Sequence, residues 1–184
     1  MSKATLAPGS GPAAVALAAL LLAGCAGDDT DAPSPQPPAC PGALILQGAE
    51  RTAAYAEGAA PSPEAQRYLA VVTNLASACN YVEGAVDVDL AFDLIVERGP
   101  ALEGDSVELT YFVATMGPGE EILAKQLLSS AIAFEAAERV AGSREQLTLR
   151  LPAVTPADGA AYALYLGFQL DGAELDQRLQ PLLR

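Results

Sequence analysis

The chain has 184 residues, with 23 acidic and 10 basic side chains, a formal net charge of −13 and no histidine. Such an acidic chain is repelled by phosphate backbones and by anionic lipid surfaces, so we expect no nucleic-acid binding. The lack of histidine excludes Ser-His-Asp and Cys-His catalysis and His-ligated zinc.

The first element in chain order is an apolar run that ends in Leu22-Ala23-Gly24-Cys25. The run is shorter than the roughly 20 residues of a transmembrane helix and is typical of an export signal. The tetrad resembles the lipobox of bacterial lipoproteins, with Leu22, Ala23 and Gly24 where the signal peptidase recognises its substrate. The resemblance implies that residues 1–24 are removed and that lipid on Cys25 anchors the protein in a membrane.

The position after Cys25 holds Ala26. In Gram-negative lipoproteins an aspartate at this position commonly signals retention at the inner membrane, so the resemblance implies the periplasmic face of the outer membrane. An ordinary secretory signal with an incidental cysteine is the alternative interpretation.

The next segment, 25–39, is rich in proline, as in Pro33-Ser34-Pro35-Gln36-Pro37-Pro38. We predict a disordered tether, because such a composition cannot bury a core. The remainder, 40–184, has the length of a single domain.

Two cysteines remain after lipidation, Cys40 and Cys79. Because an exported protein meets an oxidising compartment, we predict a disulfide between them. The alternatives are a two-cysteine metal site, which lacks histidine, and a reactive thiol, which lacks a basic neighbour.

The clearest strand follows the turn Glu83-Gly84 and ends before Gly99-Pro100. Its apolar residues alternate with polar ones, which is typical of a strand with one buried face. They are Val86, Val88, Leu90, Phe92, Leu94 and Val96.

Further strand patterns lie at 44–46, 68–79, 107–113, 147–151 and 162–170, and Gly117-Pro118-Gly119 is a predicted turn. This spacing predicts an all-β fold, an antiparallel β-sandwich of the immunoglobulin or fibronectin type III kind.

Residues 120–141 favour a helix by propensity, yet Leu128, Ser130, Ile132 and Phe134 alternate as in a strand, and we predict a strand there. A short C-terminal helix is predicted to begin at Asp171, because Glu174 follows three residues later. Its apolar face comprises Leu175, Leu179 and Leu182.

Three short motifs of the globular part are Glu97-Arg98-Gly99-Pro100, Tyr111-Phe112-Val113 and Gly167-Phe168-Gln169-Leu170. Through them, this part resembles uncharacterised alphaproteobacterial lipoproteins. The resemblance implies no assigned activity.

The polar face of the clearest strand carries Asp87, Asp89 and Asp93. Carboxylates on one face could bind a hard cation such as Ca²⁺, but no loop is present to wrap the ion. We interpret them as a solvated face that discourages edge-to-edge aggregation, and we expect no metal site and no cofactor.

Four basic residues, Lys125, Arg139, Arg144 and Arg150, are interpreted as isolated surface charges in place of a basic patch. Phe112 and Tyr165 fall opposite the predicted buried faces. They mark either an exposed contact patch or, as we favour, the second covered face of a sheet.

Together these features predict a membrane-anchored, non-enzymatic accessory or assembly module that binds another envelope protein. The alternatives are an envelope module that binds a small ligand or Ca²⁺, and a carboxylate-based hydrolase. The hydrolase would need two carboxylates that converge in a cleft.

Overall fold

The computed structural model describes residues 39–152, 159–172 and 174–175. These residues form eight strands and one 3₁₀ turn, Gly159–Ala161. The strands are β1 (Gly42–Ile45), β2 (Arg51–Tyr55), β3 (Gln66–Val82), β4 (Ala85–Arg98), β5 (Ser106–Met116), β6 (Ile122–Ala133), β7 (Val140–Pro152) and β8 (Ala163–Phe168).

The strands make two four-stranded sheets, which confirms the predicted β-sandwich. The order is β1-β8-β5-β6 in one sheet, named sheet A, and β2-β3-β4-β7 in the other, named sheet B. Because β4 neighbours β7 and β5 neighbours β8, the strand neighbours correspond to the B-E and C-F pairs of an immunoglobulin sandwich. One pair was not predicted, since β1 runs parallel to β8.

The core lies between the sheets, and β4 contributes its centre. The alternating apolar side chains of β4, from Val86 to Val96, are at most 2% exposed. Across the interface the ring of Phe92 meets that of Tyr111 edge to face, with centroids 5.5 Å apart. The Glu83-Gly84 turn before β4 is confirmed, with Gly84 at a φ of 70° that favours glycine.

Residues 122–133 form strand β6, so the predicted strand is confirmed over helix propensity. The segment pairs with β5 along its length, from Met116 opposite Ile122 to Ser106 opposite Ala133. Burial of alternate side chains such as Ile132 outweighs the few tenths of a kcal/mol per residue that separate helix propensities. Strand β2 was not predicted.

The start of the predicted C-terminal helix is observed. Asp171 Oδ1 accepts a hydrogen bond from Glu174 N at 2.7 Å, as an N-cap does, and Leu175 N donates to Asp171 O at 3.0 Å. Leu175 itself is exposed. Leu179 and Leu182 lie outside the described residues.

The Cys40–Cys79 disulfide is present, with Cα atoms 5.7 Å apart. It joins the segment before β1, in sheet A, to β3 in sheet B. The Tyr81 hydroxyl on β3 donates a hydrogen bond to Ala39 O at 2.5 Å beside it. The bridge therefore fixes the entry of the chain into the sandwich.

Replacing both Cys40 and Cys79 with serine should lower the free energy of unfolding. The bridge closes a loop of 39 residues, for which the chain-entropy model gives about 4 kcal/mol. Denaturant unfolding of the full-chain variant, compared with the oxidised wild type, measures the loss, and the reduced wild type should resemble the variant. Equal stability of variant and oxidised wild type would contradict a structural bridge.

Candidate functional site: an apolar docking face

The acidic row of β4 is paired across the sheet with β7. Asp87 lies opposite Arg150, whose Nε and Nη2 atoms each donate to it at 2.6 Å. Asp93 lies opposite Arg144 at 2.9 Å. Asp89 accepts a hydrogen bond from Thr148 at 2.6 Å. Because β4 is an inner strand of sheet B, the interpretation that its carboxylates discourage edge-to-edge aggregation was wrong.

The guanidinium of Arg150 holds the pKa of Asp87 below its usual value. Hydrogen bonding by Asn74 and the charge of Arg144 lower the pKa of Asp93. Within the described part of the chain, no three His, Cys, Asp or Glu side chains cluster as metal ligands. The carboxylates of the acidic row serve as cross-strand partners.

The four basic residues are surface charges, as predicted, but they have partners and are not isolated. Arg144 and Arg150 pair with the acidic row, and Arg139 lies 3.9 Å from Glu97. On sheet A, Lys125 Nζ donates to Gln169 Oε1 at 2.8 Å and lies 4.4 Å from the centroid of the Phe112 ring. Strand register places these side chains beside their partners, and the sequence pattern does not show the register.

Charge is segregated between the two sheets. The strands of sheet B contain ten charged residues. The strands of sheet A contain two, Glu108 and Lys125. The outer face of sheet B is therefore a solvated, ion-paired surface, whereas the outer face of sheet A is nearly uncharged.

The outer face of sheet A carries an open groove of about 800 Å³. Among the described residues that line it, the charged ones are Glu120 and Lys125. The apolar part of the lining includes Leu46, Phe112, Ala114, Ile122 and Tyr165. We call these residues, together with Lys125, the docking face.

Phe112, which lines the groove, packs where the β1–β2 connection closely approaches β8. Phe168 N donates to Ala49 O at 2.8 Å, which holds Ala49 against the sheet. A Cβ atom at Gly167 would lie 2.7 Å from the Ala49 Cβ atom and 3.3 Å from Phe112 Cζ. Glycine at this position therefore lets Ala49 and Phe112 pack together.

Phe112 is buried at 8% exposure in a second small cluster with Ala49 and Ala114, and Tyr165 packs against it. The favoured interpretation, a second covered face, is confirmed for Phe112. Around this cluster large apolar side chains remain exposed, with Leu44 at 48%, Ile122 at 66% and Leu127 at 59%. The groove was missed because its lining comes from distant parts of the chain.

A polar cluster between the sheets was also missed by sequence reasoning. Glu145 on β7 accepts hydrogen bonds from Ser143 at 2.6 Å, Ser130 at 2.8 Å and the Tyr111 hydroxyl at 3.4 Å. Burial and the Glu145 carboxylate raise the pKa of Tyr111 to about 12. Because Ser130 lies on β6 and Glu145 on β7, the cluster ties the edges of the two sheets together. The sequence signal for this cluster was the presence of polar residues, Ser143 and Glu145, at odd-numbered positions of β7.

The predicted lipidation residue Cys25 and the recognition residues Leu22, Ala23 and Gly24 lie outside the described residues, as does most of the predicted tether. Within the described ranges, no helix is long and apolar enough to cross a bilayer.

Comparison with known proteins assigns the chain to no family. No protein-family model matches the chain, and no curated protein matches it. Among solved structures, it is similar to a DUF1425 family member from Shewanella sp. PV-4. The identity is 10%, the match covers 70% of this chain and 97% of that chain, and the TM-score is 0.36.

We predict that Asp87→Asn reduces the acid dependence of stability. Because the pKa of Asp87 is lowered in the folded state, its pairing with Arg150 stabilises the fold above the usual aspartate pKa. That stabilisation is lost as pH falls through the lowered pKa. Denaturant unfolding between pH 7 and pH 2 measures the slope. Asp89→Asn, whose partner Thr148 is uncharged, is the control, and an equal flattening in both variants would contradict the assignment.

We predict that one tyrosine titrates last in a spectrophotometric titration, near pH 12, and that Tyr111→Phe removes this step. An unfolded tyrosine loses its proton near pH 10. The preference for the neutral phenol therefore stabilises the fold below about pH 10 and is lost as pH rises through about 12. Tyr55→Phe is the control. A late step that survives in Tyr111→Phe would refute the assignment.

Proposed function

We propose that the protein is a membrane-anchored envelope lipoprotein that acts as a non-enzymatic module for binding another envelope protein. The observation that carries the proposal is the docking face of sheet A. A contiguous apolar surface around a groove, on an otherwise strongly acidic chain, is typical of a protein interaction site. The two sides of the sandwich differ so strongly in charge that only one of them is suited to contact.

The composition of the docking face indicates the chemistry of the partner. Apolar side chains such as Ile122 and Leu46 are exposed, and removing their surface from water stabilises a complex by roughly 25 cal/mol per Å² of buried apolar area. Lys125 offers the only cationic group on the strands of sheet A. A partner with an apolar ridge and a carboxylate positioned for Lys125 fits this surface.

Two further features support an envelope location. The Leu22-Ala23-Gly24-Cys25 tetrad resembles a lipobox, and the Cys40–Cys79 bridge suits an oxidising compartment. The Ca²⁺-binding alternative receives no support from the acidic row, because Arg150 pairs with Asp87 and Arg144 with Asp93, while Asp89 accepts a hydrogen bond from Thr148.

A photo-cross-linking amino acid at Ile122, in cells that produce the protein, should yield discrete adducts with another envelope protein. Ile122 lies in the groove and is 66% exposed. Val140, 51% exposed on β7 of sheet B, is the matched control and should yield none. Adducts must diminish when Ala114→Glu places a charge in the groove. Equal labelling from Ile122 and Val140 would contradict a specific docking face.

Cys25→Ser should abolish incorporation of radiolabelled palmitate and move the protein from the membrane fraction to the soluble fraction. Cys79→Ser is the control for a cysteine lost from elsewhere in the chain, and it should leave palmitate incorporation unchanged. Palmitate incorporation that persists in Cys25→Ser would refute the anchor.

A further inference from the structure

The two sheets end in four edge strands, and three of these edges are protected against pairing with another chain. Strands β1 and β2 are four and five residues long. At β2, Glu174 Oε1 accepts a hydrogen bond from Ala53 N at 3.4 Å. Strand β7 carries Arg144 and Arg150 and ends at Pro152. Short length, charge and proline are the features by which natural edges avoid pairing.

The fourth edge, β6, lacks these features. It is 12 residues long, contains no proline or glycine, and has Lys125 as its one charged residue. Its only irregularity in pairing with β5 lies at Thr115/Met116, near its first residue. A long, nearly uncharged edge strand is a template for further pairing.

The hydrogen bonds at the ends of β5 show which backbone groups of β6 are free to pair. Phe134 N donates to Asp105 O, and Gln169 N donates to Thr110 O. Odd residues of β5 therefore bond to β6, and even residues of β5 bond to β8. By the same alternation, the backbone N–H and C=O groups of the even residues of β6 bond to β5. Those of the odd residues from Lys125 to Ala133 point away from the sheet.

The side chains of the first half of β6 are exposed on both faces of the sheet. Residues 122–127 are all exposed, including Leu123 at 53% and Leu127 at 59%. Beside them, between β6 and β7, lies a cleft of about 340 Å³ lined in part by Leu149 and Tyr162. The first half of β6 thus offers backbone groups and apolar side chains together, which is the combination that strand addition buries.

We propose that β6 pairs antiparallel with β6 of a second copy of this chain, about a two-fold axis at Leu127. With this register Leu127 lies opposite Leu127, Lys125 opposite Ser129 and Leu123 opposite Ala131. No two like charges meet along the strand, and among the odd residues the large Leu123 and Lys125 lie opposite the small Ala131 and Ser129.

Charge also favours this edge as a meeting place of two copies. Each copy has a formal net charge of −13, so most approaches bring carboxylates together. The β6 edge carries no carboxylate between Ile122 and Ala133. Two copies therefore meet there without opposing carboxylates on the paired strands, and screening of the remaining repulsion by salt should strengthen the pairing.

The pairing has a structural consequence for sheet A. A two-fold axis perpendicular to the sheet joins two copies of sheet A into one continuous sheet and keeps both outer faces on the same side. The docking faces then form a single surface. The pairing itself rests on β6 alone and does not depend on what occupies the groove.

The first test is a cysteine scan of the full chain in membranes under mild oxidation. Opposite residues of a hydrogen-bonded antiparallel pair have Cα atoms about 5.5 Å apart, which a disulfide spans. Leu127→Cys should give a reducible species of twice the monomer mass. Gln146→Cys, on the free edge of β7, is the control and should give none. Absence of the Leu127→Cys species, or equal amounts of both, would overturn the proposal.

The second test is Ser129→Pro, measured by sedimentation equilibrium of the full chain in detergent. Since the Ser129 N–H points away from β5, proline removes a pairing group without removing a bond of sheet A. The wild type should dimerise, more tightly at 500 mM than at 50 mM NaCl, and Ser129→Pro should weaken dimerisation at least tenfold.

Gln146→Pro is the matched control and should leave the dimer intact, and circular dichroism should show a folded chain for both variants. A wild type that stays monomeric at all concentrations overturns the proposal. So does a cross-link from Leu127→Cys to a different protein, which would show that a partner's strand covers this edge.

Discussion

The structure depends on the burial of one face of β4 between two sheets. Six alternating apolar side chains from Val86 to Val96 are almost completely removed from water, and each contributes about 1.5–3 kcal/mol of transfer free energy before the entropy cost of ordering. Because side chains alternate along a strand, this burial sends Asp87, Asp89 and Asp93 to the outer face of sheet B. There β7 supplies Arg144 and Arg150 in register, so the outer face of sheet B is both solvated and ion-paired.

Sheet A is built on the opposite principle. Its inner face fills the core through residues such as Leu109, Leu164 and Leu166, yet its outer face is also largely apolar. A sheet that is apolar on both faces requires cover on both, and the described chain covers only the region around Ala49 and Phe112. The remaining exposed leucines and isoleucine, and the unprotected edge at β6, are the features on which the two proposals of association rest.

The sequence pattern predicts the sandwich because β4, β5 and β8 alternate over six or more residues. It fails at β2, whose sequence Arg-Thr-Ala-Ala-Tyr shows no alternation, and at the β1–β8 pair, whose parallel pairing joins segments about 120 residues apart. The disulfide could be predicted, because Cys40 and Cys79 are the two cysteines left once Cys25 is assigned to the predicted lipobox. The pairing of Asp87 with Arg150 depends on register, and the groove depends on the neighbours of Phe112, so neither is a local property of the chain.

Hydrogen exchange tests the central claim, that sheet A is the contact side of this domain, most directly. Deuterium uptake would be compared by mass spectrometry between the protein in intact membranes and the purified protein at high dilution. The account predicts that β6 and the segment around Phe112 are slower to exchange in membranes, whereas β7, the corresponding edge of sheet B, exchanges equally in both. Equal uptake by β6 in the two samples, or protection of β7 in place of β6, would contradict it.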